Sequence, residues 1–116
     1  MEKLKDFLGF PVYRISNEER YRAGFKKYMA AADINHKKIM VFEEFSLVPP
    51  GEMRNFILAH EVGHILRGHS EGDANAYARS LFGAKGEELQ KRCYARTESV
   101  RKQVLADLKW QGFLPK

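Results

Sequence analysis

The chain has 116 residues, 44% of them hydrophobic and 30% charged, with a formal net charge of +5 at pH 7. That length suits one core and a single domain over residues 1–116, and the composition is that of a globular chain, so disorder is not the default expectation. No apolar run approaches the ~18 residues of a membrane span, MEKLKDFLGF lacks the apolar stretch of a signal peptide, and the single cysteine, Cys93, excludes an internal disulfide, so the expected setting is a reducing cytoplasm with no membrane partner.

A brief N-terminal helix is expected, then a short strand in 10–15, FPVYRI, from its aromatic and β-branched residues. Residues 17–24, NEERYRAG, read as one or two helical turns ending at Gly24. The runs 25–34, FKKYMAAADI, and 38–43, KIMVFE, flank Asn35-His36-Lys37 as a hairpin, with the alanines 30–32 ambiguous between helix and strand. Val48-Pro49-Pro50-Gly51 closes the sheet region. From Glu52 to Arg67, Met53, Phe56, Ile57, Val62, Ile65 and Leu66 recur at helical spacing, and Gly68 is placed to end the helix in a left-handed cap. Ser70 with Asp73 resembles a capping box that opens a second helix from 71 to about 82. A third helix, 86–109, aligns Leu89, Cys93, Val100, Val104 and Leu108, and Trp110 and Phe113 are expected to cover the end of the core. Strands followed by helices predict an α+β fold, a small antiparallel or mixed sheet packed with the helix at 52–67 and two further helices.

Cys93 has no histidine near it in sequence and reads as a buried thiol, not a nucleophile. The positive excess lies mainly in the last third, where Lys85, Lys91, Arg92, Arg96, Arg101, Lys102 and Lys109 alternate with Glu87, Glu88, Glu98 and Asp107. This spacing describes a solvated helix face. No glycine-rich phosphate loop or zinc-finger spacing accompanies it, so direct nucleic-acid binding is not expected.

The chemistry concentrates in His60-Glu61-Val62-Gly63-His64. Histidines at i and i+4 share one helix side, with Cβ atoms ~5–6 Å apart, so both imidazoles can reach one ion. Zinc accepts imidazole nitrogen, and a catalytic site uses three protein ligands with one open position. Glu61 lies ~100° around the helix from His60, poorly placed as a ligand but able to act as general base toward an attacking water. The apolar neighbours in AHEVGHIL mean that these polar groups need partners, which a metal supplies. Gly63 costs ~1 kcal/mol relative to alanine inside a helix and makes sense if another element packs against it.

A third ligand must come from elsewhere. In the metzincin pattern HExxHxxGxxH a third histidine would stand where this chain has Ser70, so that class is excluded. His69, beyond Gly68, leaves the helix face and is at most a substrate-side or outer group. Asp73, in the first turn of the next helix, is the preferred third ligand, with Glu71 as the substitute; the alternative role for Asp73 is capping alone. Tyr77 and His69 are candidates to stabilise an oxyanion, though packing is the expected role of Tyr77. By ligand type, manganese and iron suit such a site as well as zinc does.

Arg54-Asn55-Phe56-Ile57-Leu58-Ala59-His60-Glu61-Val62-Gly63-His64, followed by Asp73-Ala74-Asn75-Ala76-Tyr77-Ala78, resembles the ImmA/IrrE metallopeptidase family over about residues 38–83. The resemblance implies a minimal zincin fold, Zn2+ held by His60, His64 and Asp73, and Glu61 as base. Members usually carry Glu where Asp73 stands. It further implies an endopeptidase acting on a protein substrate of the kind of a helix-turn-helix repressor of a phage or mobile element. The competing expectation is a non-catalytic metal-binding module that binds such a partner without cutting it.

Overall fold

The computed structural model describes residues 1–23 and 29–110. The expectations for Gly24 as a helix end, for 25–28, for Phe113 and for the side chains of Val104, Leu108 and Trp110 lie outside what it describes. Strands β1 (Glu2–Lys3), β2 (Val12–Arg14), β3 (Ala30–Asp33) and β4 (Lys38–Val41) form one four-stranded sheet in the order β1-β2-β4-β3. The sheet is mixed: β3 and β4 form the antiparallel hairpin, with Ala30 opposite Val41, while β2 runs parallel to β4. Alanines 30–32 thus resolve as strand. The N-terminal helix expected before residue 10 is not formed. Glu2 and Lys3 pair with Arg14 and Tyr13 along the open side of β2, and Phe7 and Phe10 exchange backbone hydrogen bonds at 2.9 Å, so the backbone groups of this segment are satisfied without a helix.

β4 lies between two neighbours and is buried on both faces, which explains its unbroken apolar run. Alternation sends Ile39 and Val41 to one side, where they join Val12, Phe56, Ala59, Val62, Ala78, Leu89 and Val100 in the main core. Met40 and Phe42 point the other way into a smaller cluster with Ile15 and Ala31. Arg20, on the short helix α1 (Asn17–Ala23), is buried against this second layer with its guanidinium 4.9 Å from the Phe42 ring centre. It is ion-paired with buried Glu44, whose carboxylate also accepts from the Met29 N–H at 3.3 Å.

Glu44 belongs to a 3-10 turn, Glu43–Leu47, that leads to the Pro-Pro-Gly breaker. Arg54 fastens this loop, donating to the carbonyls of Val48 at 2.7 Å and Ser46 at 3.0 Å. Three longer helices follow: α2 (Glu52–Arg67), α3 (Glu71–Phe82) and α4 (Gly86–Trp110). Their boundaries match the capping signals. Gly68 ends α2 at φ +97°, its N–H donating to the His64 carbonyl, and the Ser70 hydroxyl opens α3 by accepting from the Asp73 N–H. Among the described residues no helix is long and apolar enough to cross a membrane.

Candidate metal centre

His60 and His64 sit on the C-terminal half of α2. Their rings cross at 84° with centroids 4.8 Å apart, and the two Nε2 atoms approach to 3.1 Å. Each ring is held from behind. His64 Nδ1 lies 2.8 Å from the Gly68 carbonyl oxygen, which can only accept, so Nδ1 carries a proton and, in the neutral ring, Nε2 is the nitrogen with the lone pair. His60 Nδ1 lies 2.7 Å from Asn75 Oδ1, and the same assignment turns its Nε2 toward the partner ring. Outer contacts of this kind set the tautomer and orientation of metal-binding imidazoles. Burial is the main effect on His60 and holds its imidazolium below the ordinary range, outweighing the opposite pull of the Glu71 carboxylate.

The third group is Glu71. Its carboxylate oxygens lie 2.9 Å from His60 Nε2 and 3.2 Å from His64 Nε2. Among the described residues, His60, His64 and Glu71 form the one group of histidine, cysteine or acidic side chains arranged to hold a metal ion. Donor separations of 2.9 to 3.2 Å resemble the ~3.3 Å between neighbouring ligands around a tetrahedral centre with ~2.0–2.1 Å bonds. Two lone pairs and a carboxylate converging on one point repel each other in the absence of a cation. The donor set therefore fits zinc.

Asp73 does not join this group. It is exposed in the first turn of α3, where its backbone N–H is bonded to Ser70. The α3 residues that face α2 are Glu71, Ala74, Asn75 and Ala78, one stripe at i, i+3, i+4 and i+7. Ala74 and Ala78 are fully buried there. The close approach is set by Gly63: a Cβ at that position would stand 2.8 Å from the Ala74 Cα and 2.9 Å from its carbonyl oxygen.

Glu61 is buried, 5% exposed, and borders the same cleft as His60 and Glu71. That cleft has a volume of about 380 Å³. The start of β3 borders it at Ala30, and one face of α4 borders it through Gln90, Cys93, Tyr94, Thr97 and Arg101. Cys93 is buried, its thiol pushed up to about 11 by desolvation, so it is protonated and a poor nucleophile near neutral pH. Tyr77 and His69 are not among the cleft residues. Tyr77 packs on the core with the Arg67 guanidinium 5.3 Å from its ring centre, and His69 is exposed beside a separate cavity with Ala32 and Lys38. Asn75, Gln90, Tyr94 and Arg101 are site residues that motif reading missed; for Asn75 the signal was its offset of four from Glu71.

Compared with protein-family models, curated proteins and solved structures, the chain matches none.

Proposed function

We propose that the protein is a zinc-dependent endopeptidase of zincin-like architecture, with His60, His64 and Glu71 holding the ion and Glu61 acting as general base. The observation that carries this reading is the convergence of two oriented Nε2 atoms and the Glu71 carboxylate at the edge of a cleft that Glu61 also borders. Bound zinc would supply Lewis-acid polarisation of the scissile carbonyl and a more acidic attacking water. The Glu61 carboxylate takes the proton from that water and returns it to the leaving amine. A buried carboxylate beside an apolar cleft suits this task, because few bulk waters compete for the proton.

A polypeptide substrate is supported by the position of β3. It is the end strand of the sheet, and its first residue borders the cleft, so an extended chain can add to its outer edge through main-chain hydrogen bonds. A helix-turn-helix repressor of a phage or mobile element, and a cytoplasmic setting, belong to the same proposal through the motif resemblance.

The test is Glu61→Gln in the zinc-loaded protein. The variant is expected to retain one zinc per chain by elemental analysis and to lose on the order of 10²–10⁴-fold in peptide cleavage. Full cleavage by the variant overturns the assignment of Glu61. Undiminished biological activity in a variant that no longer cleaves supports the non-catalytic module instead.

A further inference from the structure

The floor of the cleft is apolar. Met29, Ala30, Phe56, Ile57 and Cys93 all border it, and each is at most 9% exposed, so they are core residues whose inner surface the cleft reaches. Polar groups line the rest of it: His60, Glu61, Glu71 and Asn75 toward the metal centre, with Glu61 as deeply buried as the apolar residues, and Gln90, Thr97 and Arg101 on α4. The α4 contributors, Gln90, Cys93, Tyr94, Thr97 and Arg101, fall at positions i, i+3, i+4, i+7 and i+11. They form one helix face, ~16 Å long from Gln90 to Arg101, about the span of five extended residues. Tyr94, 71% exposed, stands on this face.

We infer that this floor is a specificity pocket, accepting one large apolar side chain, of the size of Leu, Met or Phe, from a peptide whose backbone lies across the metal centre. The inference rests on the peptidase reading for the nature of the bound chain, but the selectivity follows from the pocket itself. A charged side chain placed against Met29, Phe56, Ile57 and Cys93 would leave water for apolar surface that offers it no hydrogen-bond partner. An alanine methyl group is too short to cover these apolar residues. A large apolar side chain exchanges hydrated surface for contact with Phe56, Ile57 and Cys93. Burial on that scale corresponds to a preference on the order of tenfold or more over alanine. Cys93 is the residue through which the pocket can be altered, since it borders the floor and belongs to no part of the metal group.

The probes are blocked Gly-Ser hexapeptides with one variable central residue: Leu, Phe, Ala, Asp or Lys. Binding is measured by calorimetry on the zinc-loaded Glu61→Gln protein, and cleavage by mass spectrometry on the zinc-loaded wild type. The expected result is that the Leu and Phe peptides bind at least tenfold more tightly than the other three. Cys93→Phe, which fills the floor, should erase that preference with zinc content unchanged. Cys93→Ala, which enlarges it, should shift the preference from Leu toward Phe and covers the case in which the larger residue prevents folding. Equal binding of all five peptides, binding of none, or a Leu-Phe order unchanged in Cys93→Ala overturns the pocket. Apolar preference in binding without any cleavage by the wild type would sink the peptidase reading and leave the pocket standing. Cleavage without preference would do the reverse.

Discussion

Glu71 and Asp73 are two positions apart on α3, about 200° around the helix axis, so only one of them can share the face that packs on α2. Ala74 and Ala78, fully buried against that helix, mark the face, and Glu71 lies on it. In the sequence Asp73 is preferred for its place in the first turn of α3 and through the motif resemblance, but the bond made there is the capping one, from its backbone N–H to the Ser70 hydroxyl. The spacing of the small residues carried the competing signal. Glu71 also stands in the first turn of α3, where the helix dipole favours a carboxylate. Three substitutions separate the roles. Glu71→Gln should weaken zinc binding most, since it replaces the charged ligand. Asn75→Ala should weaken it by about 10–100-fold through loss of the bond that orients His60. Asp73→Asn should leave zinc affinity unchanged. Competition against a chelating dye gives all three values, and a large loss in Asp73→Asn alone would return the third-ligand role to that residue.

α2 and α3 were legible at the level of elements because each begins or ends on a local signal: Pro-Pro-Gly before α2, Gly68 after it, Ser70 before α3. The sheet was less so. β1 is a pair of charged residues with no strand pattern, and it exists because β2 offers it an edge. The parallel pairing of β2 with β4 joins residues 27 positions apart, Val12 with Ile39, and nothing local encodes it. Between these cases stands Gly63, whose cost inside a helix signalled a close neighbour without identifying it. The neighbour is the backbone of Ala74. Gly63→Ala gains ~1 kcal/mol in helix propensity, but its methyl meets backbone atoms that cannot rotate away, and such overpacking typically costs ~1–3 kcal/mol. α3 must move outward, and Glu71 moves with it. The expected outcome is a zinc affinity reduced out of proportion to any change in Tm; unchanged affinity would mean that Glu71 is placed independently of this contact.

At the scale of the whole molecule two polar clusters join elements that packing alone would leave separate. The His60, His64 and Glu71 cluster, a candidate metal group, links the end of α2 to the start of α3, while Arg20 and Glu44 link α1 to the turn after β4 on the opposite face of the sheet. These act by different routes. An ion that binds only the folded chain adds RT ln(1 + [L]/Kd), about 2.7 kcal/mol at free zinc a hundredfold above Kd, or on the order of 10 °C in Tm for a domain of this size. Chelation should reverse the shift, and Glu71→Gln should diminish it while leaving the metal-free Tm nearly unaltered, because the Glu71 side chain is 64% exposed. Glu44→Gln removes the charge opposite a buried guanidinium, a change that costs about 3–5 kcal/mol in comparable buried pairs. Its metal-free Tm should therefore fall substantially, yet zinc should still raise it by about the wild-type increment, since sites without shared partners add nearly independently. Thermal unfolding of wild type and both variants, with zinc and with chelator, reads all of these terms. A zinc increment absent from the wild type would remove the metal centre, and one lost in Glu44→Gln would mean that the two faces of the sheet are coupled through β3 and β4.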